Sequence, residues 1–262
     1  MRFGDNGGMR ALVAIAAFTL SAAAAGAAPR SYPARADEAA FRVVEIDLAT
    51  DRLELRWKDE SGQAFAGIDA LREWGRRQGR QLLFATNAGI YDQQFRPLGL
   101  HVEEGATLRP LNTAPTQVGR GNFALPPNGV FYVDTAGRAG VMTTARWREA
   151  GIVARIASQS GPMLVVDGAI NPNFDDASES LKLRSGVCAP APGRVAFAVS
   201  EAPVRFHAFA RLFRDTLGCR DALYLDGTLS RIWTRDDGYS GATAVMVKPY
   251  AGLFAVFAPA AR

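Results

Sequence analysis

The sequence predicts an α+β fold: one domain, from about residue 35 to 260, built on a mixed or antiparallel sheet core of about ten strands with a few helices. Three observations predict it. Short apolar runs bounded by Gly, Pro and Asn recur along the chain. Only two segments carry a clear helical period. The strands and helices show no regular alternation of the kind that builds a doubly wound parallel sheet. At 262 residues, with 48% hydrophobic and 21% charged, the composition is that of an ordinary globular protein and excludes disordered, collagenous and coiled-coil chains.

The first element is an address. Residues 1–10 carry Arg2 and Arg10, residues 11–20 are apolar and uncharged, and residues 21–28 are small and contain Ala25-Gly26-Ala27. This is the pattern of a cleaved secretory signal peptide over residues 1–28, with an uncleaved anchor as the competing reading. It predicts a periplasmic or secreted protein with no stable membrane span after cleavage. In an oxidising compartment Cys188 and Cys219 could pair; the alternative is two buried thiols.

Residues 31–39 read as a polar lead-in. Residues 41–48 (FRVVEIDL) and 52–57 (RLELRW) alternate apolar and polar around Ala49-Thr50-Asp51, which predicts a hairpin. Ile68, Leu71 and Trp74 lie at helical spacing within 68–80. Further strands are predicted at 81–86, 99–103, 129–134, 152–158, 163–166, 194–200, 222–225, 243–247 and 253–257. Residues 204–217 form the clearest helix, with Phe206, Phe209, Phe213 and Leu217 on one face as core packing.

Several chemistries are excluded. Lys+Arg 30 against Asp+Glu 26 gives +4 without a basic stripe, which argues against nucleic acid. Two His (His101 and His207, read as structural) cannot build a histidine-rich metal centre, and two Cys exclude a thiolate zinc cage. There is no P-loop, GxSxG elbow, HExxH or dinucleotide fingerprint.

One local design repeats: an apolar strand ending in a tight polar turn that contains glycine. It occurs as FATNAGIYD (84–92), LPPNGVF (125–131), SQSGPMLV (158–165), RSGVC (184–188) and LYLDGTLS (223–230). Each alone is an ordinary turn, but five in one domain point to a pocket. With PLGLHVEEG, LNTAP, VAFAVSE and FHAFARLFRDTLGC, in order over about residues 40–258, these segments resemble the phosphodiester glycosidase family, and most nearly its small exported bacterial members.

The resemblance implies hydrolysis of the bond between a sugar anomeric carbon and a phosphodiester oxygen, in an envelope or extracellular glycan. That chemistry needs a carboxyl group near the glycosidic bond and a cation for the phosphate. Asp226, in the family's LDG motif, is the first choice for the carboxylate. The family often continues Gly-Gly-Ser where this chain has Thr228-Leu229-Ser230, leaving Ser230 as the matching hydroxyl. Arg184 is the expected phosphate ligand and Glu201 the candidate second acid. Asn87, Gly89, Asn128, Ser160, Gly161, Gly227 and Ser230 are expected to hold substrate; Tyr91 and Trp233 could stack on a sugar.

No cofactor is expected. The oxygen-rich loop Asn171, Asn173, Asp175, Asp176 could take Ca²⁺ but lacks EF-hand spacing, and a hydrogen-bonded loop is favoured. The rival function is a non-catalytic periplasmic binder of phosphorylated glycan, serving polysaccharide assembly or export. Sugar, aglycone, stereochemical outcome and oligomeric state stay open at this level.

Overall fold

A computed structural model describes Met1 and residues 28–114, 122–243 and 249–258. The leader expected over 1–28 and the strand expected at 243–247 fall outside these residues, save for Met1, Ala28 and Thr243. In chain order the elements are β1 (Arg30–Ala36), β2 (Ala39–Asp47), β3 (Leu53–Arg56), α1 (Ile68–Arg77), β4 (Leu82–Asn87), β5 (His101–Glu103), β6 (Ala106–Arg109), β7 (Gly129–Asp134), β8 (Ala139–Thr143), α2 (Thr144–Ala150), β9 (Ala154–Ser160), β10 (Met163–Val166), β11 (Ala169–Ile170), β12 (Ser185–Ala191), β13 (Arg194–Ser200), α3 (Phe206–Arg211), β14 (Ala222–Asp226), β15 (Arg231–Thr234), β16 (Gly238–Gly241) and β17 (Leu253–Phe257).

Among the described residues the strands form three antiparallel sheets, ordered β1-β2-β13-β12-β14-β10-β11, β16-β15-β4-β17-β3 and β6-β5-β9-β7-β8. The molecule is thus mostly sheet with three short helices, more strand-rich than an α+β reading of about ten strands anticipates. All three sheets feed one core. Val44, Phe197 and Leu225 come from the first, Phe84, Ile232 and Phe254 from the second, and Phe131 and Ile156 from the third. Burial of that apolar surface is the main force holding the layers together. On its other face the first sheet packs Phe41, Val43 and Tyr224 against Phe209 and Phe213. The second sheet packs Trp233 and Phe257 against Leu71 and Trp74 of α1.

The predicted hairpin over 41–57 does not form. β2 pairs with β1 and β13, whereas β3 pairs with β17 in a different sheet. The turn closed by Asp51 N–H on the Asp47 carbonyl (2.7 Å) is a corner that carries the chain from one layer to the facing one. Hairpin and corner share the same alternating pattern; the distinction lies in Val44, Ile46, Leu53 and Leu55 entering one core from opposite sides. The lead-in at 31–39 is also strand: its Ala34 and Ala36 are buried beneath the helical layer, and its backbone pairs with β2.

RSGVC is not a turn after a strand but the start of β12, a central strand between β13 and β14. A Cβ at Gly186 would lie 3.0 Å from the Leu223 carbonyl, so this strand approaches its neighbour closely enough that a side chain there would push the neighbour back. The helix expected at 204–217 runs as α3 and then widens into a π-type turn over Leu212–Thr216. Cys188 of β12 is disulfide-bonded to Cys219 just beyond that turn. No helix of the described residues is long and apolar enough to cross a membrane.

Candidate active site at the end of strand β14

Strand β14 alternates Leu223 and Leu225 into the core with Tyr224 on the helical side, then breaks at Asp226-Gly227. The turn closes on itself: Ser230 N–H donates to the Gly227 carbonyl (2.8 Å), and Ser230 Oγ donates to the Asp226 carbonyl (2.8 Å). With Thr228-Leu229 in this turn, Ser230 still reaches the Asp226 backbone. The Asp226 carboxylate accepts the Gly227 N–H at 2.6 Å. Burial nevertheless dominates and pushes its pKa up to about 6, because the low-polarity surroundings penalise the charged form.

Beneath this turn runs a polar relay. Asn87, at the end of β4, is 1% exposed; its Nδ2 donates to Ser185 Oγ (3.0 Å) and its Oδ1 accepts the Arg231 N–H (3.2 Å). Ser185 and Ser230 hydroxyls lie 2.9 Å apart. Ser230 gives its only proton to the Asp226 carbonyl, so Ser185 must donate to Ser230. Protons thus point one way, from Asn87 through Ser185 and Ser230 to the backbone of Asp226. Asn87 and Ser230, expected to hold sugar, spend these groups on fixing the turn.

The other turns lock onto the same place. Ser160 Oγ, fully buried, donates to the Leu225 carbonyl (3.2 Å) and accepts the Ile90 N–H (3.4 Å). A Cβ at Gly89 would lie 2.6 Å from the Gln159 carbonyl, so the loop after β4 lies directly on β9. At Gly161 an added Cβ would lie 1.9 Å from Asn128 Oδ1. Asn128 Nδ2 donates to the Phe123 carbonyl (2.8 Å), while its Oδ1 has no hydrogen bond among the described residues. Met163 N–H to the Pro127 carbonyl (2.7 Å) completes the link. All five glycine-containing segments are therefore joined around the end of β14.

Arg184 immediately precedes Ser185. It is 1% exposed and forms no ion pair with a carboxylate among the described residues. Its Nε donates to the Val204 carbonyl (2.9 Å) and its Nη2 to the Ser180 carbonyl (3.0 Å), and its guanidinium lies 3.5 Å from the Phe206 ring centroid. A buried cation needs such compensation. Burial still pulls its pKa down, with Tyr224 pushing the other way. Arg184 Nη1 has no hydrogen bond among the described residues.

Glu201 is not brought to Asp226. It lies beyond β13, two strands from β14 across β12, a backbone offset of about 10 Å. Its side chain is 41% exposed and pairs with Arg42 at 3.7 Å. The loop weighed for Ca²⁺ is tied up in turns. Asn171 Nδ2 donates to the Pro126 and Met163 carbonyls, Asn171 Oδ1 accepts the Asn173 N–H, and Asp175 Oδ1 accepts the Ala177 N–H. Trp233 faces α1.

Tyrosines are the group that sequence reasoning undervalued. The Asp226 charge reaches Tyr91, Tyr224 and Tyr250 and adds to the burial that raises each hydroxyl; Tyr91 is pushed up to about 12. Tyr250 Oη donates to the Leu229 carbonyl (2.6 Å), bracing the turn after Asp226. Tyr224 stood two residues before Asp226 on the same strand, a signal available from alternation. Tyr250 carried none.

The family profile described as phosphodiester glycosidase matches residues 80–243, which spans all five turns. The chain belongs to the phosphodiester glycosidase family. It is similar to the uncharacterized protein YigE of Escherichia coli (strain K12), 35% identical over 190 residues, 72% of each chain. Its fold is similar to that of the catalytic domain of zebrafish N-acetylglucosamine-1-phosphodiester alpha-N-acetylglucosaminidase, auto-inhibited by its pro-peptide: TM-score 0.59, 12% identity, over 87% of this chain and 82% of that one. A hypothetical protein from Synechocystis has a TM-score of 0.51 at 16% identity, over 88% of this chain and 62% of that one. At these identities the two structures speak to the fold, and family membership rests on the profile and on YigE.

Proposed function

We propose that this phosphodiester glycosidase homologue hydrolyses a glycosyl phosphodiester outside the cytoplasm, releasing the sugar from a phosphorylated glycan. The observation that carries the reading is Asp226: a carboxyl held at a strand end, anchored by one N–H, with a pKa pushed up to about 6. Breaking the bond between the anomeric carbon and the bridging oxygen leaves a phosphomonoester whose second pKa is about 6. A donor matched to that value can protonate the departing oxygen near neutrality. Water oxygen then bonds to the anomeric carbon, and its proton returns to Asp226 through solvent. Electrons of the broken bond leave with the phosphate.

In this reading Asn87, Ser185 and Ser230 are positioning residues, since they hold the backbone of Asp226. Tyr91 is near enough to feel the Asp226 charge, and Arg184 supplies positive charge behind Tyr224, with Nη1 the nitrogen left for a phosphate oxygen. The Cys188–Cys219 bond and the leader composition support an oxidising compartment.

The test is incubation of purified protein with a sugar-1-phosphodiester, assaying free sugar against sugar phosphate. Free sugar is expected from the wild type and none from Asp226→Asn. Sugar phosphate as product, or wild-type rates from both Asp226→Asn and Arg184→Ala, would overturn the assignment.

A further inference from the structure

A cavity of about 540 Å³ opens between α1 and β15, and of its lining residues only Trp233, a candidate for stacking on a sugar, is among those expected at the hydrolytic site; it faces this cavity and α1. Its volume lies within the range of small-molecule sites. Four arginines line it: Arg72 and Arg76 from α1, Arg80 after the helix, and Arg235 after β15, against a single acid, Glu73. Trp233 lines it too, with the Arg72 guanidinium 5.3 Å from its ring centroid.

Helix-end electrostatics account for Arg76, which sits in the last turn of α1 where cations offset the dipole. They do not account for Arg72, one turn earlier, or for Arg235, which comes from another sheet element. Arg80 has its own duty: with Arg56 it holds the buried Glu54 carboxylate, and the two cations outweigh burial and keep that group below its ordinary range. Among the described residues the remaining three pair only with exposed neighbours: Arg72 with Asp69 (2.9 Å), Arg76 with Glu73 (2.8 Å) and Arg235 with Asp236 (2.9 Å). Exposed pairs of this kind are weak because solvent screens them, so a ligand anion can replace the partner at small cost. Guanidinium forks suit phosphate and carboxylate equally.

We infer that this cavity is a second binding site, for an anionic saccharide segment bearing phosphate or carboxylate groups. It lies apart from the turn at Asp226. The inference does not depend on hydrolysis, and its test reads binding alone.

The experiment titrates the full chain with an oligogalacturonate, with tripolyphosphate and with uncharged maltopentaose. Binding of the two anions and none of maltopentaose is expected. The triple variant Arg72→Ala/Arg76→Ala/Arg235→Ala should weaken anion binding about tenfold or more. Asp226→Asn should leave it unchanged. Glu73→Gln, which releases Arg76 and Arg77, should tighten it, a gain that misfolding cannot mimic. A control triple removing exposed arginines elsewhere, Arg52→Ala/Arg148→Ala/Arg194→Ala, should have under about twofold effect. No anion binding by the wild type, equal loss in the control triple, or wild-type binding by the site triple would overturn the proposal.

Discussion

The side-chain amide of Asn87 donates to Ser185 Oγ at 3.0 Å, joining residues 98 positions apart and tying the second sheet to the first just under Asp226. Both groups are buried, so neither finds water if the other is removed. Asn87→Ala removes the acceptor of the Arg231 N–H and leaves Ser185 Oγ with Ser230 as its remaining partner. The expected loss is about 1–3 kcal/mol, read as a lower urea midpoint with unchanged slope, alongside a fall in turnover.

Asp226 makes stability depend on pH in a defined direction. Its folded pKa of about 6 lies above the ordinary carboxylate value near 4. Between those values the folded chain keeps a proton that the unfolded chain has lost, so stability falls as pH rises and the cost is complete above about 6. Asp226→Asn removes that cost. It should melt higher than wild type at pH 8 and coincide with it at pH 4. Wild-type turnover should decline above about pH 6, as the acid form is depleted.

Gly89 tests the close approach of the loop to β9. An alanine methyl would sit 2.6 Å from a backbone carbonyl, which cannot rotate away. Gly89→Ala should cost about 1–3 kcal/mol and shift Tyr91, so that activity falls further than stability predicts. Thermal melts and turnover on the same sample separate the two effects.

The cystine closes a loop spanning 31 positions. Replacing both cysteines with alanine should lower stability by about 3–4 kcal/mol, mainly through a freer unfolded chain. For a domain of this size that is roughly 10 °C in melting midpoint. A reductant should lower the wild type to the same value and leave the variant unmoved.

Glu201→Gln separates a one-carboxylate site from a two-carboxylate one. Glu201 is solvated and weakly paired with Arg42, so stability should change by less than about 0.5 kcal/mol. Turnover should stay within about twofold of wild type, measured on the substrate that Asp226→Asn cannot cut.

Much of the fold was legible wherever one strand carried a continuous apolar run. GVFYVD, MLVV, RVAFAVS and LFAVF are strands with the bounds that pattern implies. Strands built from small or polar residues were not. β12 contains Gly186 and Pro190, β16 reads Gly-Tyr-Ser-Gly, and β1 carries Pro33; their strand state comes from pairing with neighbours rather than from propensity. The helix α2 escaped notice because it is seven residues long and buries none of them. At the candidate site, the sequence marks out polar groups beside glycine but not what they bond. Asn87, Ser160 and Ser230 stand out in this way, but only the assembled sheets show that Asn87 and Ser230 meet at Ser185 and that Ser160 holds the Leu225 carbonyl.

The corner at Asp47–Asp51 sets an order of events during folding. Leu53 of β3 pairs with Val256 of β17, so the second sheet lacks a central partner until nearly the whole chain is available. A nascent or truncated polypeptide would carry β3 and β4 with open edges, the state most prone to sticking to other chains. Assembly should therefore be late, slow and all at once, and removing the last dozen residues should yield insoluble protein rather than a smaller domain.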